Sequence, residues 1–495
     1  MEPLLAAILT LAAFDFCVLP IEDAGLTILR HRRILLDRHV EIVLSSYSTL
    51  NYGDVNSRLK IESRSSVPAS ADLPAYDIRP VAPIKARGRP SQRKLKREAL
   101  LDGATALFNA RGIAGTSLSD IAERLGLARA SVYYYVNDRA ELVFQCYQRA
   151  CERTADDLAT ASQAGSGFQR VYDFITLALA PERPQTAVLN DLGVLDVSQA
   201  EIIARAIQRN TAGLIAFLKA GMADGSVRPC DSEVVAQCVF GILAWAQMTP
   251  QWVSGDNSQK YRKRLLSAVL EIIDRGIAIE RAPLVCNLDA DRFLPGPVNA
   301  FDRRATTALK VEQLLRTASG LFNRYGIEAT SLDQIVAELG ASKAVVYHYL
   351  RDKSDLVTRC YERGFDLFEQ IADLARRCGR SGMERALFIS HLNSQGQAGV
   401  LTPLMPQPGL EALADSYRGA LTDRARALSR QVSGLIEEGI ADGSCRPCDT
   451  LMVAQISAGA FGRLRRWLPQ NDPRTPRQLA DEITAFLGLG LAADH

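Results

Sequence analysis

The stretch TSLSDIAERLGLARASVYYYVNDRAEL, residues 116–142, has a close counterpart in the same chain. Residues 330–356, TSLDQIVAELGASKAVVYHYLRDKSDL, follow it at a constant offset of 214 positions. In both copies apolar residues recur at the spacing of one helical face, namely Leu118, Ile121, Ala122 and Leu125, and Leu332, Ile335, Val336 and Leu339. Gly126 and Gly340 end that helix, and a short helix rich in tyrosine and basic residues follows. The pattern predicts a DNA-binding helix-turn-helix in each copy.

The similarity extends to the sequence before each of these stretches. One apolar face, Leu100, Ala104, Leu107 and Phe108 before Gly112, returns as Leu314, Ala318, Leu321 and Phe322 before Gly326. At the start of the next helix, Ser331 and Gln334 fit a capping box, whereas the first copy has Asp120 where Glu or Gln is preferred. Each copy is therefore expected to be a three-helix domain.

The order of these residues resembles the DNA-binding domain of the tetracycline-repressor (TetR) family. The shared features are T-S-L, an I-A or I-V pair, L-G, a Y-x-Y helix, and D-R or D-K before E-L or D-L. The resemblance implies an all-α fold made of two tandem units. Each unit would have an N-terminal helix-turn-helix domain and a C-terminal helical domain for ligand binding and dimerisation, in which the last two helices form a four-helix interface.

A second repeat shows that more than the DNA-binding part was duplicated. Residues 221–237, GMADGSVRPCDSEVVAQ, reappear as residues 439–455, GIADGSCRPCDTLMVAQ. We therefore divide the chain into an unassigned N-terminal extension, a DNA-binding and a regulatory domain, a linker, and a second pair of such domains. The bounds are 1–84 for the extension, 85–140 and 141–280 for the first pair, 281–306 for the linker, and 307–354 and 355–495 for the second pair.

The recognition helices carry most of the candidate DNA contacts. In the first copy, a helix over about Ala128 to Val136 would place Arg129 and Ser131 near base edges. Tyr133, Tyr134, Thr116 and Arg139 would contact the phosphate backbone. The matching residues of the second copy are Lys343, Val345, Tyr347, His348, Thr330 and Lys353. Tyr135 and Tyr349 are expected to pack inside, beside Val132 and Val346.

A basic run precedes the first copy. Residues 85–97, KARGRPSQRKLKR, include Arg87 and Arg89 among seven basic residues. Before a helix-turn-helix, such an arm can neutralise phosphates or enter the minor groove, so we include both arginines among the DNA contacts. A solvated charged surface is the plainer interpretation of the same run.

Composition narrows the remaining possibilities. The net charge of +2 gives no bulk attraction to DNA, so binding must come from local clusters. The apolar run Pro3 to Phe14 is too short and wrongly flanked for a membrane span or a signal peptide, and the ten cysteines suit a reducing cytoplasm. No residue pattern indicates catalysis, a metal or a cofactor. Cys445 and Cys448 form a C-x-x-C, but the first copy keeps only Cys230, which favours a shared turn.

These observations favour a transcriptional repressor whose fused units form an internal pseudo-dimer on an imperfectly palindromic operator. A homodimer of two chains with four DNA-binding domains is the other arrangement. A sequence-tolerant architectural DNA-binding protein without effector response is the alternative function. The family resemblance also implies a small-molecule effector of unknown identity, and Phe168, Tyr172 and Phe174 would suit a hydrophobic one, although core packing explains them equally well.

Overall fold

A computed structural model describes residues 92–410 and 413–493, and within these ranges the regular structure is helical. The predicted extension 1–84, together with Arg87 and Arg89, lies outside the described residues. We call residues 92–280 the first half and residues 303–493 the second half. The first half contains α1 (Gln92–Arg111), α2 (Leu118–Arg124), α3 (Arg129–Val132), α4 (Arg139–Ala161), α5 (Gly167–Ala178), α6 (Val197–Asp224), α7 (Ser232–Ala246) and α8 (Gln259–Arg275).

The second half repeats this order with one additional short helix. Its elements are α9 (Arg303–Tyr325), α10 (Leu332–Leu339), α11 (Lys343–Tyr349), α12 (Lys353–Cys378), α13 (Gly382–Ala398), α14 (Asp415–Ala441), α15 (Thr450–Gly462), α16 (Leu464–Trp467) and α17 (Pro476–Leu489). The predicted all-α fold in two tandem units is confirmed. No helix in the described part of the chain is long and apolar enough to cross a membrane.

Each half begins with the predicted three-helix domain. The apolar face of α1 is buried through Leu100, Ala104, Leu107 and Phe108 against residues of α2, α3 and α4. Burying the leucine and phenylalanine side chains of this face contributes on the order of 1.5–3 kcal/mol each, before the entropy of ordering them is subtracted. The long helix α4 then connects this domain to the C-terminal helices, where it packs on α5 and α6. A change in the C-terminal helices can therefore reach the DNA-binding domain through one rigid helix.

The repeated A-D-G-S segment has a structural purpose in both halves. Asp224 accepts hydrogen bonds from the Gly167 and Ser226 amides at 2.8 and 2.9 Å, so it caps the start of α5. Asp442 does the same for α13 through Gly382 and for Ser444, at the same distances. The glycine that follows each aspartate has a positive φ, which a residue with a side chain rarely adopts. The repeat therefore fixes the turn that joins α6 to α7, and α14 to α15.

We expect these two aspartates to give the protein a specific acid sensitivity. Hydrogen bonds, first from the serine side chains of the turn, hold the pKa of Asp224 and Asp442 below the ordinary value of 3.8. Because the folded-state pKa is depressed, the stabilisation is present above the unfolded pKa and is lost as the pH falls through the folded one. The variant Asp224→Asn/Asp442→Asn should melt below the wild type at about pH 7, with the gap closing below about pH 3.5. Thermal unfolding across pH measures this.

The control is Asp156→Asn, which replaces an exposed carboxylate on α4. It should leave the melting temperature close to that of the wild type at every pH. A gap between the double variant and the wild type that stays constant down to pH 3 would contradict the assignment of these two carboxylates as charged caps.

The two halves pack against each other through the last helices of each. Helix α7 lies along α15, and α8 contacts α15 and α17. Gly241 and Gly459 meet where α7 and α15 cross, so closely that a Cβ on Gly241 would overlap the Gly459 carbonyl. Tyr261 donates its hydroxyl to Gln455 Oε1 at 3.0 Å, and Arg264 forms an ion pair with Asp449 at 2.9 Å. Four helices, two from each half, thus form one shared bundle.

Backbone hydrogen bonds join the halves in a reciprocal way. The Arg228 amide, in the turn before α7, donates to the Leu491 carbonyl at 2.9 Å. The Arg446 amide, at the equivalent turn before α15, donates to the Ile277 carbonyl at 2.9 Å. Isolated antiparallel bridges, Val227 with Ala492 and Cys445 with Ala278, repeat the same exchange. Each half therefore completes the turn of the other, as expected for an interface with approximate two-fold symmetry.

The segment between the halves is more ordered than predicted. The sequence predicts a linker over residues 281–306. Instead, Cys286 and Ala290 are buried, a short 3-10 helix spans Ala290–Phe293, and α9 begins at Arg303. Gln395 holds this segment on α13, accepting from the Ala290 amide at 3.1 Å and donating to the Leu288 carbonyl at 3.0 Å. The connection is therefore a docked strap whose path is fixed by the second half.

Candidate nucleic-acid interface

Both helix-turn-helix motifs are closed by the capping interactions written into the repeat. The Ser331 side chain accepts a hydrogen bond from the Gln334 backbone amide at 3.1 Å. In return, the Gln334 side-chain oxygen accepts one from the Ser331 backbone amide at 2.7 Å. Ser117 and Asp120 form the same box, at 3.1 and 2.7 Å. Hydrogen bonds from Ser117 lower the pKa of Asp120, which keeps its carboxylate charged near the helix N-terminus. Asp120, although it replaces the preferred Glu or Gln, therefore still completes the capping box.

The first recognition helix is shorter than predicted. Helix α3 ends at Val132, and Tyr133 to Tyr135 form a turn instead of continuing the helix to Val136. Val132 is buried, whereas Tyr133 and Tyr134 are 47% and 79% exposed. Arg129 is exposed and Ser131 is half-buried. Arg129, Tyr133 and Tyr134 are therefore available to a DNA surface, while Tyr135 packs against the core as predicted.

The second recognition helix, α11, presents a different set of groups. Tyr347 is 52% exposed and His348 is exposed, while Val346 is buried and Tyr349 packs on the core. Lys343 is exposed, but its ammonium lies 2.7 Å from an Asp333 carboxylate oxygen. Lys343 must leave this pair, or share it, to contact a base. Of Val345 only the backbone is described, which places it in α11.

Arg139 and Lys353, which are predicted to contact DNA phosphates, form hydrogen bonds within the protein. Arg139 donates to the Ala114 carbonyl at 3.3 Å, and Lys353 donates to the Glu328 carbonyl at 3.4 Å. These bonds tie the first residue of α4 or α12 to the loop before α2 or α10. Both side chains are partly exposed, so they can hold the loop and remain near a phosphate.

The structure corrects the role predicted for Thr116 and Thr330. Both side chains are fully buried, and their hydroxyls donate to the Gly112 and Gly326 carbonyls at 2.8 and 2.7 Å. A hydroxyl in this position closes the loop after the first helix and does not face solvent. The sequence argument placed these residues correctly beside the helix start but could not show that the loop folds over them.

We expect Thr116→Val to reduce stability and leave the DNA contacts intact. Removing a buried hydrogen-bond donor costs about 1 kcal/mol, which lowers the melting temperature by a few degrees. Tyr134→Phe is the matched variant, because it removes an exposed hydroxyl, and it should weaken DNA binding without changing the melting temperature. Binding titrations over a range of salt concentrations, together with thermal unfolding, separate the two. If DNA binding by Thr116→Val depended less on salt while its stability stayed unchanged, Thr116 would contact a phosphate after all.

The basic run before the first domain is partly helical. Gln92 to Arg97 belong to the first turns of α1 and are exposed, so this part of the run is not a separate arm. Arg97 donates to the Gln145 side chain at 2.9 and 3.2 Å, which connects α1 to α4. Arg93, Lys94 and Lys96 add positive charge at the N-terminal end of α1, the first helix of the DNA-binding domain.

Each DNA-binding domain also contacts the opposite half, which the sequence analysis did not predict. Asp191, which is buried in the first half, accepts from the Glu328 and Ala329 amides at 3.0 and 3.4 Å, in the loop before α10. Gly409 of the second half lies so close to Gly112, in the equivalent loop before α2, that a Cβ added to Gly112 would be 3.0 Å from the Gly409 Cα. These contacts join positions far apart in sequence, so no local pattern could predict them.

The other chemical candidates lie away from this surface. Cys445 and Cys448 are free thiols in the turn before α15, and burial raises the pKa of the Cys445 thiol to about 12 and that of Cys448 to about 11. Both therefore remain protonated at neutral pH, which suits the structural turn expected from the first copy. Among the described residues, no group of His, Cys, Asp and Glu side chains is arranged to hold a metal ion.

Comparison with known families agrees with the two motifs. Residues 100–146 and 314–360 both match the family described as "Bacterial regulatory proteins, tetR family". Residues 391–491 match "Tetracyclin repressor-like, C-terminal domain". The first two ranges each contain a complete helix-turn-helix, and the third contains most of the C-terminal helices of the second half.

Individual proteins show the same similarity over one unit. The HTH-type transcriptional regulator YhgD of Bacillus subtilis is 23% identical over 186 residues, which is 37% of this chain and 96% of that protein. The HTH-type transcriptional regulator TtgR of Pseudomonas putida is 40% identical over 68 residues, 14% of this chain and 32% of that protein. The crystal structure of PfmR from Thermus thermophilus is 21% identical, covers 36% of this chain and 98% of its own, and has a TM-score of 0.30. The match to YhgD thus includes nearly all of that protein but little more than a third of this chain.

Proposed function

Because this chain is a tetR-family transcriptional regulator built from two fused units, we propose that it is a ligand-responsive repressor whose two DNA-binding domains act as one internal pseudo-dimer. The observation that carries the proposal is the shared bundle of α7, α8, α15 and α17, which joins the halves beneath two exposed recognition helices. In a two-fold dimer of separate chains, such domains lie about 34–36 Å apart, one turn of DNA. Here a single chain supplies both.

Covalent connection favours pairing within the chain. Tethering raises the concentration of one half around the other to roughly millimolar. The docked strap over residues 281–302 adds contacts to that effect, since Arg281 donates to the Leu489 carbonyl at 3.2 Å and Gln395 holds Leu288. Pairing between two chains must therefore compete with pairing between the two halves of each chain.

The operator that this arrangement would recognise is an imperfect palindrome. Arg129 and Ser131 face one half-site, whereas Lys343 and Val345 occupy the equivalent positions of the other. Arginine can bond guanine in a bidentate way, and a lysine ammonium is a single point charge. Tyr134 against His348 adds a further difference. The two half-sites should therefore differ in sequence, with the stronger guanine preference beneath the first domain.

Response to a ligand requires two states that the ligand distinguishes. A cavity of about 130 Å³ lies between α4, α5, α6 and α7 in the first half, and one of about 110 Å³ lies at the equivalent place in the second. A ligand that prefers the state with wrongly spaced DNA-binding domains releases the operator, provided its affinity for the two states differs by several kcal/mol. Contacts such as that of Asp191 with the loop before α10 give the core a direct connection to the DNA-binding domains. We place this activity in the cytoplasm, with double-stranded DNA.

The test combines native mass with operator mapping. We expect light scattering to give the mass of one chain, and footprinting on the DNA upstream of its own gene to give one protected site with unlike halves. Two symmetric operators, each built from one half-site repeated, should bind at least about tenfold more weakly than the natural one, a loss of about 1.4 kcal/mol.

Three results would contradict the proposal. A strictly symmetric natural operator would remove the role of the unlike recognition helices. A mass of two chains on one operator would favour the assembly with four DNA-binding domains. An affinity for the upstream DNA equal to that for random DNA, at one fixed salt concentration, would indicate an architectural protein instead.

A further inference from the structure

The two cavities lie at equivalent positions, and each is lined in part by side chains that come from the opposite half. Phe174, Phe240 and Leu243 line the first cavity together with Arg463 of the second half. Phe365, Phe368 and Phe461 line the second together with Trp245 and Val253 of the first half. Trp245 and Arg463 are equivalent residues, because α7 and α15 align with Gly241 opposite Gly459 and keep that register to their ends. The same structural position therefore delivers an indole to one cavity and a guanidinium to the other.

The chemistry of the two cavities differs accordingly. Around the second cavity the lining is aromatic and aliphatic, with serine, asparagine and glutamine as its polar members. The first cavity adds Arg153 and Asp157 to its apolar wall. Arg153 lies 3.6 Å from both Glu98 and Asp102, and Asp157 lies 2.7 Å from Arg183, so these charges already have partners. Arg463 is the cation of this lining that lacks a carboxylate within 4 Å among the described residues.

The half-buried Arg463 guanidinium has no close ion-pair partner among the described residues. It donates to the Leu189 carbonyl at 3.4 Å, a long hydrogen bond, and Arg466 lies nearby with the same charge. Burial and, second, the charge of Arg466 lower the pKa of Arg463 to about 9. A cation in these surroundings is stabilised by any anion that enters the cavity, because the low dielectric strengthens their attraction.

We propose that the first cavity binds an amphipathic carboxylate, whose charged end pairs with Arg463 and whose apolar part lies against Phe174, Phe240 and Leu243. The inference rests on the proposed ligand response and specifies the ligand class for one of the two cavities. A carboxylate is favoured because its two oxygens match the guanidinium fork. The Leu189 carbonyl that Arg463 now contacts precedes Asp191 by two residues, so a ligand that draws Arg463 inward acts beside the contact with the loop before α10.

The experiment compares acids with their neutral analogues on the full chain. Calorimetric titration with 4-phenylbutyrate and the straight-chain acids from hexanoate to decanoate, each beside its primary amide, isolates the charge because size and apolar area stay nearly equal. We expect at least one acid to bind about tenfold or more tightly than its amide at pH 7, as a charge-assisted bidentate pair implies. Equal affinity of each acid and its amide, or no binding of any acid at millimolar concentration, would overturn the inference.

Variants then assign the preference to one residue. Arg463→Gln should bring the acid to the affinity of its amide, whereas Arg463→Lys should keep part of the preference. Arg205→Gln, which removes an exposed charge outside both cavities, should leave it unaltered. If Arg463→Gln does not fold, the acid and amide comparison on the unchanged protein still decides. A full acid preference in folded Arg463→Gln would contradict the assignment.

Operator release is measured separately, so that the two proposals can fail independently. Acid that binds with the expected preference, but leaves operator DNA bound, supports this cavity assignment and contradicts the ligand response. Operator release by neutral compounds, with no preference for acids and no effect of Arg463→Gln, contradicts the cavity assignment and supports the ligand response.

Discussion

Gly241→Ala is expected to weaken operator binding by about 100-fold or more, although residue 241 lies in the helical bundle and not at the DNA. The new Cβ would overlap the Gly459 backbone carbonyl where α7 crosses α15. A backbone atom cannot rotate away, so the two helices must separate, and overpacking of this kind costs about 1–3 kcal/mol. Separation changes the spacing of the DNA-binding domains, which both must fit the operator together. Fluorescence anisotropy with operator DNA and thermal unfolding measure the two effects.

Gly434→Ala provides the matched control. Gly434 also lies within a helix, α14, but nothing lies within 4 Å of the position of its added Cβ. Alanine is favoured over glycine in a helix by about 0.5–1 kcal/mol, so this variant should be slightly more stable and bind the operator unchanged. If Gly241→Ala bound operator DNA as tightly as Gly434→Ala does, the crossing of α7 and α15 would not set the spacing of the DNA-binding domains.

Arg129→Ala should lower operator affinity by roughly 5- to 150-fold, which corresponds to about 1–3 kcal/mol for a lost arginine–guanine pair. Base preference should be relaxed in the half-site that contacts the first DNA-binding domain. The base preference of the other half-site should be unchanged. Lys343→Ala should have the converse pattern with a smaller effect, because Lys343 is already engaged with Asp333 at 2.7 Å. Binding to a panel of operators with single base changes in each half-site gives both the size and the position of the effect.

Arg205→Ala is the control for net charge. Arg205 is exposed on α6 and pairs with Glu201, so its removal changes the total charge by the same amount as Arg129→Ala. It should have little effect on operator affinity. A uniform loss of affinity over all base changes in Arg129→Ala would indicate a phosphate contact and contradict base recognition by this residue.

The parts of the fold that the sequence predicts well are determined by neighbouring residues. Both helix-turn-helix motifs follow from periodic apolar residues, from a glycine such as Gly340 with its positive φ, and from capping by Ser331 and Gln334. These features need only a few consecutive residues, so a single chain contains enough information for them.

The parts that the sequence could not provide depend on contacts between distant segments. Thr116 was assigned to the DNA surface because its place before a helix is compatible with either exposure or burial, and only the folded loop decides. The pairing of Lys343 with Asp333 joins two helices of one domain. Arg463 looks like an ordinary charged residue at a helix end until the opposite half encloses it. The candidate DNA contacts remain a prediction: in the first domain Arg129, Tyr133, Tyr134 and Arg139 are exposed, and Ser131 is half-buried.

The reciprocal turns also determine when the protein can finish folding. Arg228 donates through its side chain to the Gly490 carbonyl, 262 residues later in the chain. During synthesis at about 5–20 residues per second, the first half therefore waits roughly 10–50 s for the segment that completes it. Until the second half is made, the faces of α7 and α8 that pack on α15 and α17 have no partner within their own chain. Nascent first halves on one messenger RNA expose the same faces and can pair with each other. We therefore expect slow translation to favour pairing between chains over pairing within one chain.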